Sequence, residues 1–213
     1  MSGRKGNVYE KPDARTKAAK AQGFPARSVF KLEEIDRRVK LLRGGQKVLD
    51  LGAAPGSWSL YASQKVGPSG RVLAIDLQEI RQAFPANVKV AQGDALTLES
   101  AALSEFAPYD VVLSDMAPNT SGSKIRDQAG SLELCLRALD VALALGKVGS
   151  HFVAKIFMSG EFQVARKLAG ERYEKCQVIR PEGTRQQSTE VFIVGLGLKA
   201  SDSGHSSLSR AAR

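Results

Sequence analysis

A chain of 213 residues is long enough for one domain with a sizeable core and cramped for two. The formal charge of +9 favours a polyanionic partner, and the excess is uneven, with 12 Lys/Arg against 5 Asp/Glu in residues 1–43. Two cysteines without C-x-x-C spacing and two histidines are too few for a metal centre, and no apolar run suits a membrane span or signal peptide. A soluble cytoplasmic protein with neither metal nor membrane partner is expected.

Residues 1–26 are polar and basic, with Gly23 and Pro25 as breakers, and read as an arm that stays mobile until it meets a partner. Ser28 is placed to N-cap a helix reaching Val39, with Val29, Leu32, Ile35 and Val39 on one face and Lys31 off that stripe. After Gly44-Gly45, a strand from Lys47 to Leu51 enters the turn Gly52-Ala53-Ala54-Pro55-Gly56, and a helix starts at Ser57-Trp58. Small residues let the main chain approach a ligand there, and the helix's unpaired N–H groups face an anionic or carboxylate end. The spacing is neither G-x-G-x-x-G nor a P-loop, which leaves a nucleoside-type site without a pyrophosphate cradle.

Strand and helix patterns then alternate. RVLAID (71–76), VKVAQGD (88–94), DVVLSD (110–115) and SHFVAKIF (150–157) read as strands, with helices at 57–66, about 99–106, from Leu132 to Gly146, and about 161–170. Residues 116–131 read as a long polar loop of the kind that binds or covers a ligand. A strand near 175–180 and EVFIVGLGL, joined by a loop holding Arg185 and Ser188, suggest a hairpin that leaves one strand antiparallel. The expected organisation is an arm (1–26), one domain (27–198) and a Ser-rich disordered tail (199–213). Its class is α/β, a mostly parallel sheet with helices on both faces and its ligand at the carboxyl ends of the strands.

Polar residues gather at those ends. Asp76 closes the second strand, where an acid accepts from both hydroxyls of a ribose diol; Asp94 closes the third and suits an adenine amino group; Asp115 closes the fourth. Any one of these is as well explained by a cap or a turn, whereas three in succession beside a glycine turn point to a site. Lys155 lies inside FVAKIF, where burial is expensive unless the amine is paired or used. Glu190 opens the last strand, and antiparallel pairing would bring it to Lys155 near Asp115, giving a lysine held by two carboxylates. A purely structural ion pair is the competing explanation.

Together ARSVFKLEEI, VLDLGAAPGSW, DMAPNTSG, FVAKIF and STEVFIV make the stretch from Ala26 to Leu198 resemble the FtsJ/RrmJ (RlmE) family of S-adenosyl-L-methionine-dependent ribosomal RNA 2′-O-ribose methyltransferases. The resemblance implies a Rossmann-like sheet of seven strands with the last antiparallel. It implies a catalytic tetrad of Lys31, Asp115, Lys155 and Glu190, with S-adenosyl-L-methionine contacted by Gly56, Trp58, Asp76, Asp94 and Asp115. The implied target is a uridine in the A-loop of 23S rRNA, within the 50S subunit, and a monomer is expected. The family's PGGW reads PGSW here, and serine in place of glycine at a helix start is expected to matter little. The arm lacks an aromatic-rich start, and the tail is extra.

Lys155 is expected to orient the 2′-hydroxyl and stabilise oxyanion character, or to take its proton; the sequence leaves both open. RNA is expected along the basic face of residues 4–43, helped by Lys124, Arg126 and Arg185. Rival readings are the same 2′-O-methylation on tRNA or cap RNA, and a catalytically dead assembly factor that binds rRNA. A small-molecule methyltransferase is disfavoured by the basic arm.

Overall fold

The elements follow the spacing of apolar side chains. In Val29–Val39 (α2), Val29, Leu32 and Ile35 fall on one helical face and are buried. In Lys47–Leu51 (β1) the period is two, so Val48 joins one core cluster while Leu49 and Leu51 join the other. The structure, a computed structural model, describes residues 14–98, 100–119, 121–182, 184 and 188–200. Residues 1–13 of the expected arm, Arg185 and the tail from residue 201 lie outside the described residues.

Six further strands complete the sheet: Arg71–Asp76 (β2), Val88–Gln92 (β3), Tyr109–Ser114 (β4), Gly146–Phe157 (β5), Tyr173–Ile179 (β6) and Glu190–Leu198 (β7). Their order is β3-β2-β1-β4-β5-β7-β6, with β7 antiparallel to both neighbours. Reversal of β7 brings its first residue, Glu190, opposite Phe157 at the carboxyl end of β5. On one face, Lys124–Leu145 (α5) and Phe162–Arg172 (α6) cover Leu49, Leu73, Val112 and Phe152 through Cys135, Ala138, Ala165 and their neighbours. On the other, α2 and Ser57–Val66 (α3) cover Val48, Val111, Val153 and Phe192. Each fully buried aliphatic side chain in these layers contributes roughly 1.5–3 kcal/mol through removal from water.

The structure departs from the sequence reading at several boundaries. Part of the expected arm, Ala14–Ala21, is a helix (α1), anchored by buried Ala19 and followed by buried Phe24. Alanine and lysine favour helix without producing an apolar stripe, so the pattern is silent there. Ser28 precedes α2 but makes no side-chain cap. The fourth helix, Ser100–Leu103 (α4), is shorter than expected. The long polar loop ends earlier, because α5 begins at Lys124; its first turns carry few large apolar residues and give no helical period. No described helix is long and apolar enough to cross a membrane, and no group of His, Cys, Asp and Glu among the described residues could hold a metal ion.

Candidate active site

The strand ends surround a cavity of about 950 Å³, walled by Ala54 and Pro55 of the glycine turn, Asp76, Asp94, Asp115 and Pro118. The turn is tight because Gly52 sits at φ +76°, with its N–H and that of Ala53 donating to the Ile75 carbonyl at 2.9 and 3.0 Å. A Cβ on Gly52 would lie 2.6 Å from Met116 Cγ and 2.8 Å from its main-chain nitrogen, so the two chain ends close together only over a glycine.

Two acids at the cavity are fixed by the backbone around them. Asp76 accepts the Ala54 N–H at Oδ2 and the Gln78 N–H at Oδ1, both at 2.8 Å, which locks its carboxylate plane and leaves further lone pairs for a ligand. Asp94 accepts the Leu96 N–H at 2.9 Å and begins a turn in which the Thr97 and Leu98 N–H groups donate to its carbonyl. Asp94 is therefore both a turn acid and a cavity-lining carboxylate.

Asp115 joins the cavity to a line of charges. Lys155 Nζ donates to Asp115 Oδ1 at 2.9 Å and to the Asp115 carbonyl oxygen. With its side chain 8% exposed, the lysine is placed by burial as well as by charge. Lys31 Nζ lies 2.5 Å from Glu190 Oε1, an ion pair that lacks the angle of a hydrogen bond. The expected cluster of one lysine between two carboxylates is thus two pairs, Lys155 with Asp115 and Lys31 with Glu190. Geometry explains the change: Glu190 aligns with Phe157, two residues beyond Lys155, and α2 brings Lys31 over it.

Gly56 and Trp58 do not line the cavity. Gly56, at φ +109°, is the N-cap of α3, and a Cβ there would lie 2.8 Å from Phe84 Cζ. The Trp58 ring is buried against Phe192, with centroids 5.6 Å apart, and its Nε1–H donates to the Ser28 carbonyl at 2.9 Å. The Gly56 N–H donates to the Ala53 carbonyl at 2.7 Å, which leaves the Trp58 main-chain N–H as the donor of this pair at the start of α3.

The sequence reading expected little of Ser57 and missed Glu34 and Asp50. Ser57, buried, accepts the Ala26 N–H at 2.8 Å and donates to the Ala26 carbonyl at 3.1 Å, so with Trp58 it stitches the glycine turn to the start of the helix carrying Lys31. Glu34 accepts the Glu182 N–H at 2.9 Å and pairs with Arg38, holding α2 to the segment between β6 and β7. Asp50, wholly buried in β1, accepts the Ser59 hydroxyl at 2.6 Å while its Oδ1 has no partner among the described residues. An acid inside the apolar run VLDL was the available signal.

The FtsJ-like methyltransferase family model matches residues 24–198, which spans every strand and all of this site. The chain belongs to the FtsJ-like methyltransferase family. It is 64% identical over 194 residues to the "Ribosomal RNA large subunit methyltransferase E" of Sorangium cellulosum, covering 91% of this chain and 92% of that protein. It is 51% identical over 184 residues to the protein of the same name from Nitratidesulfovibrio vulgaris (strain DP4), covering 85% and 90%. A solved structure assigned as a ribosomal RNA methyltransferase from Plasmodium falciparum superposes with a TM-score of 0.70 over 81% of this chain and 97% of that one. At 22% identity, that likeness bears on the fold alone. Membership makes this chain a methyltransferase, and Asp115, one of the acids lining its cavity, carries the ion pair with Lys155.

Proposed function

We propose that the protein transfers a methyl group from S-adenosyl-L-methionine to a ribose 2′-hydroxyl of large-subunit ribosomal RNA. The finer reading is a uridine of the 23S A-loop, modified in the 50S subunit by a monomer in the cytoplasm. The observation that carries the reading is the Asp115–Lys155 pair at the cavity rim, in a chain 64% identical to a protein named for methylation of large-subunit rRNA.

The residues present fit the donor. Asp76, with both oxygens directed by N–H groups, suits a ribose diol, and Asp94 suits the amino group of an adenine. Ile75, Ala95, Leu96 and Leu134 add apolar wall for a flat base. N–H groups in the first turn of α3, those of Ser57 and Trp58, suit the carboxylate of the methionine part, while the Gly56 N–H is held by the Ala53 carbonyl at 2.7 Å. The donor supplies an electrophilic methyl carbon on a sulfonium, so the chain's task is alignment and charge.

Lys155 is the group assigned to the 2′-oxygen. Its direction is set by Asp115, and it stabilises negative character on the oxygen while the hydroxyl proton passes to solvent water. Lys31, steered by Glu190, adds a second cation at the same end of β5 and attracts the neighbouring phosphate. The test is to incubate the protein and labelled donor with 50S subunits, free rRNA and tRNA, then map the modified nucleotide. Ribose-linked label in large-subunit RNA is expected; label confined to tRNA, or on a base, would overturn the assignment.

A further inference from the structure

We propose that Ile125, standing between Lys124 and Arg126 at the start of α5, is a wedge that enters the base stack of the RNA beside the target nucleotide. The proposal rests on the RNA-methyltransferase reading and concerns how that site reaches its nucleotide.

Ile125 is 82% exposed, the most exposed of the large hydrophobic side chains among the described residues. Its neighbours break a second local preference. Lys124 and Arg126 are exposed cations in the first turn of a helix, where the dipole favours acids. Local preferences broken together, with no packing gained, are expected at functional positions.

The segment is held firmly rather than left to wander. Asp127 Oδ1 accepts both the N–H and the hydroxyl of Ser121 at 2.8 Å, and the Asp127 N–H donates to the Ser123 carbonyl at 2.9 Å. These bonds fold the loop back on the helix and engage the nearest acid. Ile125 therefore projects from a closed knuckle.

The knuckle overlooks the candidate catalytic residues. One turn on, Gln128 Nε2 donates to the Met158 carbonyl at 2.8 Å, and the Met158 N–H donates to the Thr189 carbonyl at 2.9 Å. Met158 follows the strand bearing Lys155, and Thr189 immediately precedes Glu190. Met158, 47% exposed, adds a second apolar side chain to this rim.

A nucleotide kept in its stack cannot bring its ribose to an amine as buried as Lys155, so it must be splayed out. Unstacking is costly, and proteins that bend or open nucleic acids fill the vacated slot with aliphatic side chains such as Ile, Leu or Met. An apolar tip flanked by two cations complements a base stack bordered by phosphates. The occupant of this rim is accordingly the RNA flanking the modified nucleotide.

The test uses full-length protein and 50S subunits from cells lacking this methylation. Single-turnover transfer at saturating protein is expected to slow roughly tenfold or more in Ile125→Ala, with subunit affinity within about threefold, and to recover in Ile125→Leu. In a Lys155→Ala background, a base-specific reagent is expected to mark the target nucleotide when protein binds, and that mark is expected to disappear on adding Ile125→Ala. Transfer by Ile125→Ala within about twofold of the parent, or a mark that persists without Ile125, overturns the wedge. An unchanged melting temperature is expected, because an exposed side chain contributes little to folding. Should the parent protein methylate no RNA, the underlying reading falls and the wedge with it; normal parent activity with an indifferent Ile125→Ala refutes the wedge alone.

Discussion

Asp50→Asn is expected to change how stability depends on pH. Burial raises the Asp50 carboxyl most, the Ser59 hydroxyl pulls it back, and the charges of Asp115 and Asp76 add to the rise, leaving it at about 7 against an ordinary 3.8. Folded protein binds this proton more tightly than the unfolded chain does. The group's contribution is therefore fully present below about pH 4 and is lost as pH rises through about 7. At roughly 1.36 kcal/mol per pH unit, the full penalty is on the order of 4 kcal/mol, of which about 3 accrues between pH 5 and pH 8. Asparagine cannot ionise, although its amide would leave a buried N–H without an acceptor, at about 1–3 kcal/mol independent of pH. The stability gap between variant and parent should thus move by roughly 3 kcal/mol in the variant's favour from pH 5 to pH 8. His151 acts oppositely in the same window: burial, then the charge of Arg43, lower its affinity for a proton, so its contribution grows as pH rises. It is common to both proteins and cancels in the difference. Urea unfolding followed by Trp58, the chain's single tryptophan, measures the gap. A gap that stays constant from pH 5 to pH 8 refutes the reasoning.

Four further outcomes are expected. Lys155→Ala should lower single-turnover transfer by roughly 10²–10⁴-fold while calorimetric affinity for the donor stays within about threefold. Asp76→Ala should weaken donor binding on the order of tenfold to a hundredfold, with transfer at saturating donor little changed. Trp58→Phe removes the bond to the Ser28 carbonyl and should cost about 1 kcal/mol in chemical unfolding, leaving donor affinity within about twofold; a large affinity loss would return the indole to the binding site. Affinity for ribosomal subunits should fall steeply and linearly on a log–log plot against salt, and a flat plot would exclude the basic face.

What could be read from the sequence was set by where the signal lay. Asp76, Asp94 and Asp115 were legible because each closes an apolar strand run, and the βα alternation says which end of a strand faces a ligand. Lys155 announced itself as a charge where burial was expected, and the structure buries it. Lys31 carried no such mark, since a lysine off the apolar stripe of a helix is ordinary; its place came from family resemblance, and its partner only from the reversed strand β7. Trp58 was named for its motif, and no pattern says which way an indole turns. α1 and the first turns of α5 were missed because Ala, Lys, Gln and Gly supply helix or tolerate it without a period to detect. Pairings such as Ser57 with Ala26, or Glu34 with the Glu182 N–H, join distant stretches and leave no trace in either one.

The stitching of the glycine turn to α2 has a bearing on how such a protein can vary. Ser57 bonds to the main-chain N–H and carbonyl of Ala26, and Trp58 to the carbonyl of Ser28. Every peptide unit offers those atoms, whatever side chain it carries. The lead-in to the Lys31 helix is therefore free to change at Ala26 and Ser28 so long as its backbone path survives, while the constraint falls on Ser57 and Trp58. A saturation library should show tolerance at Ala26 and Ser28 facing an intolerant pair, though the two sides are in contact. Mutational sensitivity would then mark which partner supplies the side chain, and contact alone would be a poor guide to it.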